Sequence, residues 1–257
     1  MARIIAVFNQ KGGVGKTTTV VNLCACIAEK GKRVCVIDID PQGNTTSGYG
    51  IDKRELKNTI YEVLIGEAKV DDSIISAGYE NLYILPSGVQ LAGAEIELAF
   101  LNQRENMLKE ALSPIEKKFD YIFIDCPPSL GLLSINALVA ADSVLVPIQC
   151  EYYALEGVSQ LVRTIQLVKK GLNPKLSIQG VVLSMFDGRT NLSIQVVDEV
   201  KSYFKGKVYS TIIPRNVRLA EAPSFGKPVV YYDAKSKGSI AYLELAEEFL
   251  DIEEGEF

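Results

Sequence analysis

Apolar and polar positions follow two alternating periods along the chain. Short runs rich in Val and Ile, the first at Ile4 to Phe8, are separated by longer stretches whose apolar residues return every three or four positions, the first from Lys16 to Lys30. Further strands are predicted at Val34 to Ile37, Leu82 to Leu85, Tyr121 to Ile124, Val144 to Ile148, Ile178 to Leu183 and Val208 to Ile212. Further helices are predicted at Thr59 to Ile65, Gln90 to Leu112, Leu132 to Ala140, Gly157 to Lys170, Leu192 to Phe204 and Ile240 to Leu250. Gly31-Lys32, Asn173-Pro174 and Gly206-Lys207 punctuate helix-to-strand passages. The βαβ alternation predicts an α/β fold: a doubly wound, mostly parallel sheet with helices on both faces. No fixed-period repeat, low-complexity tract or linker divides the chain. Residues 1–257 are therefore expected to form one domain, with ligands at the carboxyl ends of the strands.

Composition narrows the chemistry. The 257 residues include no histidine, which excludes the Ser-His-Asp triad, Cys-His nucleophiles, His-ligated zinc and His-based pH switching. Cys24, Cys26, Cys35, Cys126 and Cys150 form no CxxC pair and sit in apolar stretches, as reduced core cysteines do. Met1-Ala2-Arg3 leads at once into an apolar run too short for a signal peptide, and no run approaches the ~20 apolar residues of a membrane span. A cytoplasmic protein is expected. Its net charge of −5 is unevenly spread: residues 1–162 carry −6, residues 163–237 carry +8 and residues 238–257 carry −7. Because salt screens distant charges, the basic segment offers an anionic polymer a local surface despite the acidic total. Charge alone does not separate that from a solvated face.

Directly after the first predicted strand stands Lys11-Gly12-Gly13-Val14-Gly15-Lys16-Thr17-Thr18, where the next helix must begin. Glycines let successive backbone N–H groups curl around phosphate oxygens, and a helix N-terminus directs about half a positive charge at the anion. Lys16 is placed to reach terminal phosphates, and Thr17 supplies a hydroxyl for Mg²⁺. A glycine-rich turn with two lysines by chance would not need strand, loop and helix in this order. The match to G-x-x-x-x-G-K-[ST] departs at Gln10, where that pattern has Gly, and Lys11 is an additional lysine.

The K-G-G-x-G-K-T form resembles the deviant Walker A motif of the ParA/MinD group of P-loop ATPases. The resemblance implies that Lys11 reaches across a dimer to the partner's nucleotide. Ile37-Asp38-Ile39-Asp40-Pro41-Gln42-Gly43-Asn44 is similar to the group's first switch, which implies that Asp40 orients the attacking water and Asp38 lies near the metal. Tyr121-Ile122-Phe123-Ile124-Asp125 ends an apolar strand in one carboxylate, as a Walker B strand does, making Asp125 a candidate Mg²⁺ ligand through water. Pro127 and Pro128 stiffen the loop that corresponds to the second switch. Toward the C-terminus, the segment from Thr211 to Pro228, containing Ile213-Pro214-Arg215-Asn216 and Glu221-Ala222-Pro223-Ser224-Phe225-Gly226-Lys227-Pro228, resembles a segment typical of ParA/Soj partitioning ATPases, and the similarity runs over essentially the whole chain. There Pro214 and Asn216 would face the adenine.

The group's members differ in what their ATP-dependent dimer binds. A MinD-like membrane ATPase would end in a basic amphipathic helix, whereas this chain ends in an acidic run that anionic lipid repels. An iron–sulfur carrier ATPase needs cluster-spaced cysteines, and neither Cys126 nor Cys150 belongs to such a set. A DNA-partitioning ATPase needs a basic surface, and Arg189 and Arg218 match arginines that bind DNA in Soj-like proteins, each able to hold a phosphate bidentately. Lys201, Lys205 and Lys207 are weaker candidates. No aromatic interleaving or base-reading motif accompanies them, so the expected ligand is duplex DNA without sequence preference. Only Met1-Ala2-Arg3 precedes the first predicted strand, and the resemblance then implies the short type lacking an operator-reading extension. The resemblance further implies ATP and Mg²⁺ as cofactors, an ATP-dependent homodimer, nucleoid association and a stimulating ParB/Spo0J-like partner. A ParA-like ATPase that positions a protein cargo is the alternative.

Overall fold

A computed structural model describes residues 1–151 and 154–255 of the chain; Glu256 and Phe257, the end of the acidic run, lie outside them. Among the described residues there are eight strands, β1 (Arg3–Val7), β2 (Val34–Asp38), β3 (Ile75–Tyr79), β4 (Leu82–Leu85), β5 (Tyr121–Asp125), β6 (Ser143–Gln149), β7 (Ser177–Phe186) and β8 (Val208–Pro214). They form one sheet in the order β3-β4-β2-β5-β1-β6-β7-β8. All neighbours pair in parallel except β3 and β4. Parallel neighbours need a crossover, which is why helices separate most of the strands in sequence.

The strand runs are apolar on both sides because both faces of the sheet are covered. In β1, Ile5 and Val7 face one core layer while Ile4 and Ala6 face the other. The first layer is closed by the helix Lys16–Glu29, through Val20, Leu23 and Ile27, and by the helix Lys237–Glu254, through Leu245 and Phe249. The second is closed by the helices Leu132–Ala140, Ala154–Gly171 and Asn191–Phe204. All five cysteines are buried free thiols, and burial pushes Cys26 up to about 12 and Cys150 up to about 11, which keeps them unreactive.

Two expectations are corrected. The single helix predicted from Gln90 to Leu112 is two, Leu91–Leu98 and Met107–Leu112. Between them Gln103 takes a left-handed φ of 54° and Asn136 fills the break, accepting from Leu108 N–H at 3.0 Å and donating to the Arg104 carbonyl at 2.8 Å. Strand β3 was not anticipated: it is an edge strand in which Ala77 alone is buried, so it carries no apolar alternation. Short helices at Asn44–Gly48, Val70–Ser73, Val217–Glu221 and Val229–Tyr232 are likewise too brief to display a period. Among the described residues no helix is long and apolar enough to cross a membrane.

Candidate functional site

The loop after β1 is held from both sides. Asn9 donates from Nδ2 to the Pro147 carbonyl at 2.8 Å and accepts the Lys11 N–H at 3.0 Å, anchoring the loop entry to β6. Val14 is buried and its carbonyl accepts from Ser184 Oγ at 2.8 Å. Gly13 and Gly15 take φ values of 76° and 91°, a region costly for any residue with a Cβ. Gly12 has no such need, and a Cβ there would meet nothing within 4 Å. The helix Lys16–Glu29 starts with no side-chain cap, so its first N–H groups, including those of Thr17 and Thr18, point outward unclaimed by a capping side chain.

Lys16 is 7% exposed and its Nζ donates to the Lys11 carbonyl at 3.1 Å. Burial lowers its pKa, while the charges of Asp125 and Asp40 hold it up, so the ammonium is an under-solvated cation awaiting an anion. Lys11 is half-buried at the loop mouth, and its ammonium makes no hydrogen bond or ion pair among the described residues.

Asp38 and Asp125 end adjacent strands in register, both fully buried. Thr17 Oγ1 and Thr45 Oγ1 both donate to Asp125 Oδ2, at 2.8 and 2.6 Å, while Asp125 Oδ1 is buried with no partner among the described residues. Asp38 Oδ2 accepts the N–H and the hydroxyl of Thr46, at 2.8 and 2.7 Å. Desolvation first, and then the Asp125 charge, pushes Asp38 up to about 7; desolvation likewise pushes Asp125 up to about 6. Asp40 is 7% exposed, and its Oδ1 accepts the Gln42 N–H at 2.9 Å. Its carbonyl accepts from Ser87 Oγ at 2.8 Å, and the Ser87 N–H donates to Thr46 Oγ1 at 3.0 Å. Thr45, Thr46 and Ser87 were not anticipated. Their signal was a hydroxyl pair one turn past the Asp40 loop and a serine just past β4.

A cavity of about 250 Å³ opens beside Gly15 and Thr18, lined by Met185, Ile213, Pro214, Asn216 and Leu219. Asn216 Oδ1 accepts the Arg218 N–H at 2.9 Å as a helix cap, which leaves its Nδ2 as the group able to donate into the slot. An apolar slot with one amide beside a phosphate loop suits a purine ring.

Arg189 and Arg218 follow the carboxyl ends of β7 and β8, at the nucleotide end of the sheet. Arg189 is 88% exposed and grips Asp187 through Nε at 2.8 Å and Nη2 at 2.6 Å. Arg218 meets Glu221 at 2.8 Å and Asp233 at 3.1 Å. The structure does not bring Lys201, Lys205 and Lys207 to them. Lys205 and Lys207 precede β8 and Lys201 lies in the last helical turn before it, roughly 20 Å away at about 3.3 Å per strand residue.

A strand, a glycine loop, an uncapped helix with a folded-back lysine, and a strand-end carboxylate hydrogen-bonded to the helix's first hydroxyl define a P-loop nucleoside triphosphatase. A family model described as an AAA domain matches residues 2–178. The chain is 60% identical to the sporulation initiation inhibitor protein Soj of Bacillus subtilis (strain 168), across 96% of this chain and 98% of that one. It is 53% identical to the chromosome partitioning protein ParA of Myxococcus xanthus (strain DK1622), across 97% and 88%. Among solved structures, a cobyrinic acid a,c-diamide synthase from Mycobacterium smegmatis with bound ADP and magnesium superposes with a TM-score of 0.86 at 40% identity, covering 98% and 95%. The chain belongs to the Soj/ParA family of chromosome-partitioning ATPases.

Proposed function

We propose that this chain is a magnesium-dependent ATPase whose ATP-bound form pairs into a homodimer, holds duplex DNA without sequence preference in the cytoplasm, and releases it on hydrolysis stimulated by a ParB/Spo0J-like protein. The observation that carries the reading is Lys11. Its carbonyl is occupied by Lys16 and its ammonium has no hydrogen-bond or ion-pair partner among the described residues, beside a Gly12 with open space around it. A cation so placed serves an anion brought by a second molecule better than one held by its own loop.

Within one chain, the Gly13–Thr18 backbone and Lys16 hold the phosphates and the Pro214–Asn216 slot holds the base. The residues present fit magnesium: Asp125 Oδ1 is a buried acceptor without a donor among the described residues, Asp38 stands beside it, and Thr17 adds a hydroxyl, all hard oxygen ligands. Bound there with the nucleotide, magnesium would neutralise charge on the phosphate oxygens. Asp40 is poised to orient water, since Gln42 N–H fixes its carboxylate and Ser87 fixes its backbone. Closure of two chains would join two basic footprints on one rigid body, raising their effective concentration for DNA. The exposed apolar residues Val89, Ile96 and Phe100, around the helix Leu91–Leu98, favour a protein partner as well, which accommodates both a stimulating protein and the protein-cargo reading.

The test is retention on mixed-sequence duplex DNA with no nucleotide, ADP or a non-hydrolysable ATP analogue, across salt, for wild type and Arg189→Ala/Arg218→Ala. Salt-sensitive retention that the analogue adds above the nucleotide-free level, and that the double variant loses, supports the reading. Dimerisation without any retention would move the assignment to a protein cargo.

A further inference from the structure

The fold sends nine of the thirteen basic residues of 163–237 to two opposite ends of the sheet, and the two groups differ in how they are paired. At the nucleotide end, Arg189, Arg215 and Arg218 each face a carboxylate: Asp187, Glu151, and the pair Glu221 and Asp233. At the opposite end six lysines gather. Lys169 and Lys170 finish the helix Ala154–Gly171 and Lys175 precedes β7; Lys201 lies in the last turn of the helix Asn191–Phe204, and Lys205 and Lys207 precede β8. All six are exposed. None forms an ion pair among the described residues, and only Lys207 has an internal acceptor, the Ile178 carbonyl at 2.7 Å.

These lysines share one edge of the molecule. The two helices bury Val168, Val200 and Phe204 in the same core layer, and β7 pairs with β8, so both helix ends and both strand starts lie side by side. Packed helices about 10 Å apart and strands about 4.8 Å apart make this a strip on the order of 15 Å wide. Over that distance a duplex presents roughly nine phosphate charges. Helix macrodipoles explain lysines in a last turn, but not Lys175 and Lys207 in the loops beyond. The exposed apolar neighbours, Leu167, Leu172 and Tyr203, lie on separate turns, in contrast to the continuous apolar face that an interfacial helix inserts into lipid.

We infer that this lysine edge is a second site for the duplex DNA backbone, distinct from the arginine pair and present in the single chain whatever its nucleotide state. It rests on the proposed DNA reading for the class of ligand only. No carboxylate has to be displaced for phosphates to bind here, whereas the arginines must exchange one. The edge therefore keeps a released single chain in weak contact with DNA after the paired state has opened.

The test uses the full chain on immobilised mixed-sequence duplex between about 50 and 200 mM salt. Wild type is compared with Lys169→Gln/Lys170→Gln/Lys175→Gln, with Lys175→Glu alone, and with Arg189→Ala/Arg218→Ala. Without nucleotide, wild type is expected to be retained at the lowest salt and the arginine variant to match it. The triple lysine variant is expected to bind at least about tenfold more weakly, with a log–log salt slope shallower by about 2.7, and Lys175→Glu to shift the same way. An unchanged melting temperature separates lost contact from lost folding. Undiminished nucleotide-free retention by the lysine variants, or none by wild type, overturns the inference. So does loss of binding to phosphatidylglycerol vesicles with DNA binding intact, which would make the edge a lipid surface. Failure of the analogue-dependent, arginine-dependent arm counts instead against the proposed function, so the two readings fail separately.

Discussion

In the metal-free, nucleotide-free protein, folding stability is expected to fall as pH rises, because Asp38 and Asp125 are two buried carboxyls side by side. Desolvation, with the Asp125 charge adding to it, moves Asp38 from 3.8 to about 7. The folded state therefore keeps a proton that the unfolded chain releases above 3.8. With more protons bound when folded than unfolded, stability declines across that window and levels off above about 7. At about 1.4 kcal/mol for each tenfold change, the full span from 3.8 to about 7 is worth about 4 kcal/mol. Asp38→Asn removes the titration while keeping an oxygen for Thr46. Urea unfolding in a chelator at pH 5, 6, 7 and 8 is the assay, and the quantity is variant minus wild type. That difference is expected to move in the variant's favour by about 3 kcal/mol between pH 5 and 8, the part of the span from pH 5 to about 7. A difference that is flat with pH, or that moves against the variant, would refute the reasoning. The observation behind it is structural: the two carboxyls end neighbouring strands in register, and Asp125 Oδ1 has no donor among the described residues.

Three further outcomes are expected. Gly12→Val is expected to leave the single chain's stability within about 0.5 kcal/mol, since a Cβ there meets nothing and needs no left-handed φ, yet to abolish ATP-dependent pairing in sedimentation while ATP still binds. Asp40→Ala is expected to bind ATP and remain on DNA as a dimer with turnover lost; normal hydrolysis by this variant would remove the role given to that carboxylate. Gly226→Ala is expected to cost at least about 2 kcal/mol in thermal or urea unfolding, because Gly226 has a φ of +61° and a Cβ there would lie 2.4 Å from Gly50 Cα.

How much of this was legible beforehand depended on whether a feature is local. The phosphate loop, the two strand-end carboxylates and the alternation of strand and helix are written in consecutive residues, and local backbone chemistry decides them: glycines where φ is positive, β-branched runs where both faces are buried. Pro214 and Asn216 were readable through resemblance, and the fold sets both beside Gly15 and Thr18 across nearly two hundred residues. Tertiary structure alone decided the rest. Thr45 and Thr46 become partners of Asp125 and Asp38 because the loop after β2 folds back over the sheet's end, and Ser87 reaches Asp40 because β4 ends beside β2. Asn136 breaks a segment that its own periodicity reads as one helix, since a buried amide must find partners and two backbone groups supply them. The basic segment read as one surface in sequence is two, because parallel strands send the residues before them and after them to opposite ends of the molecule.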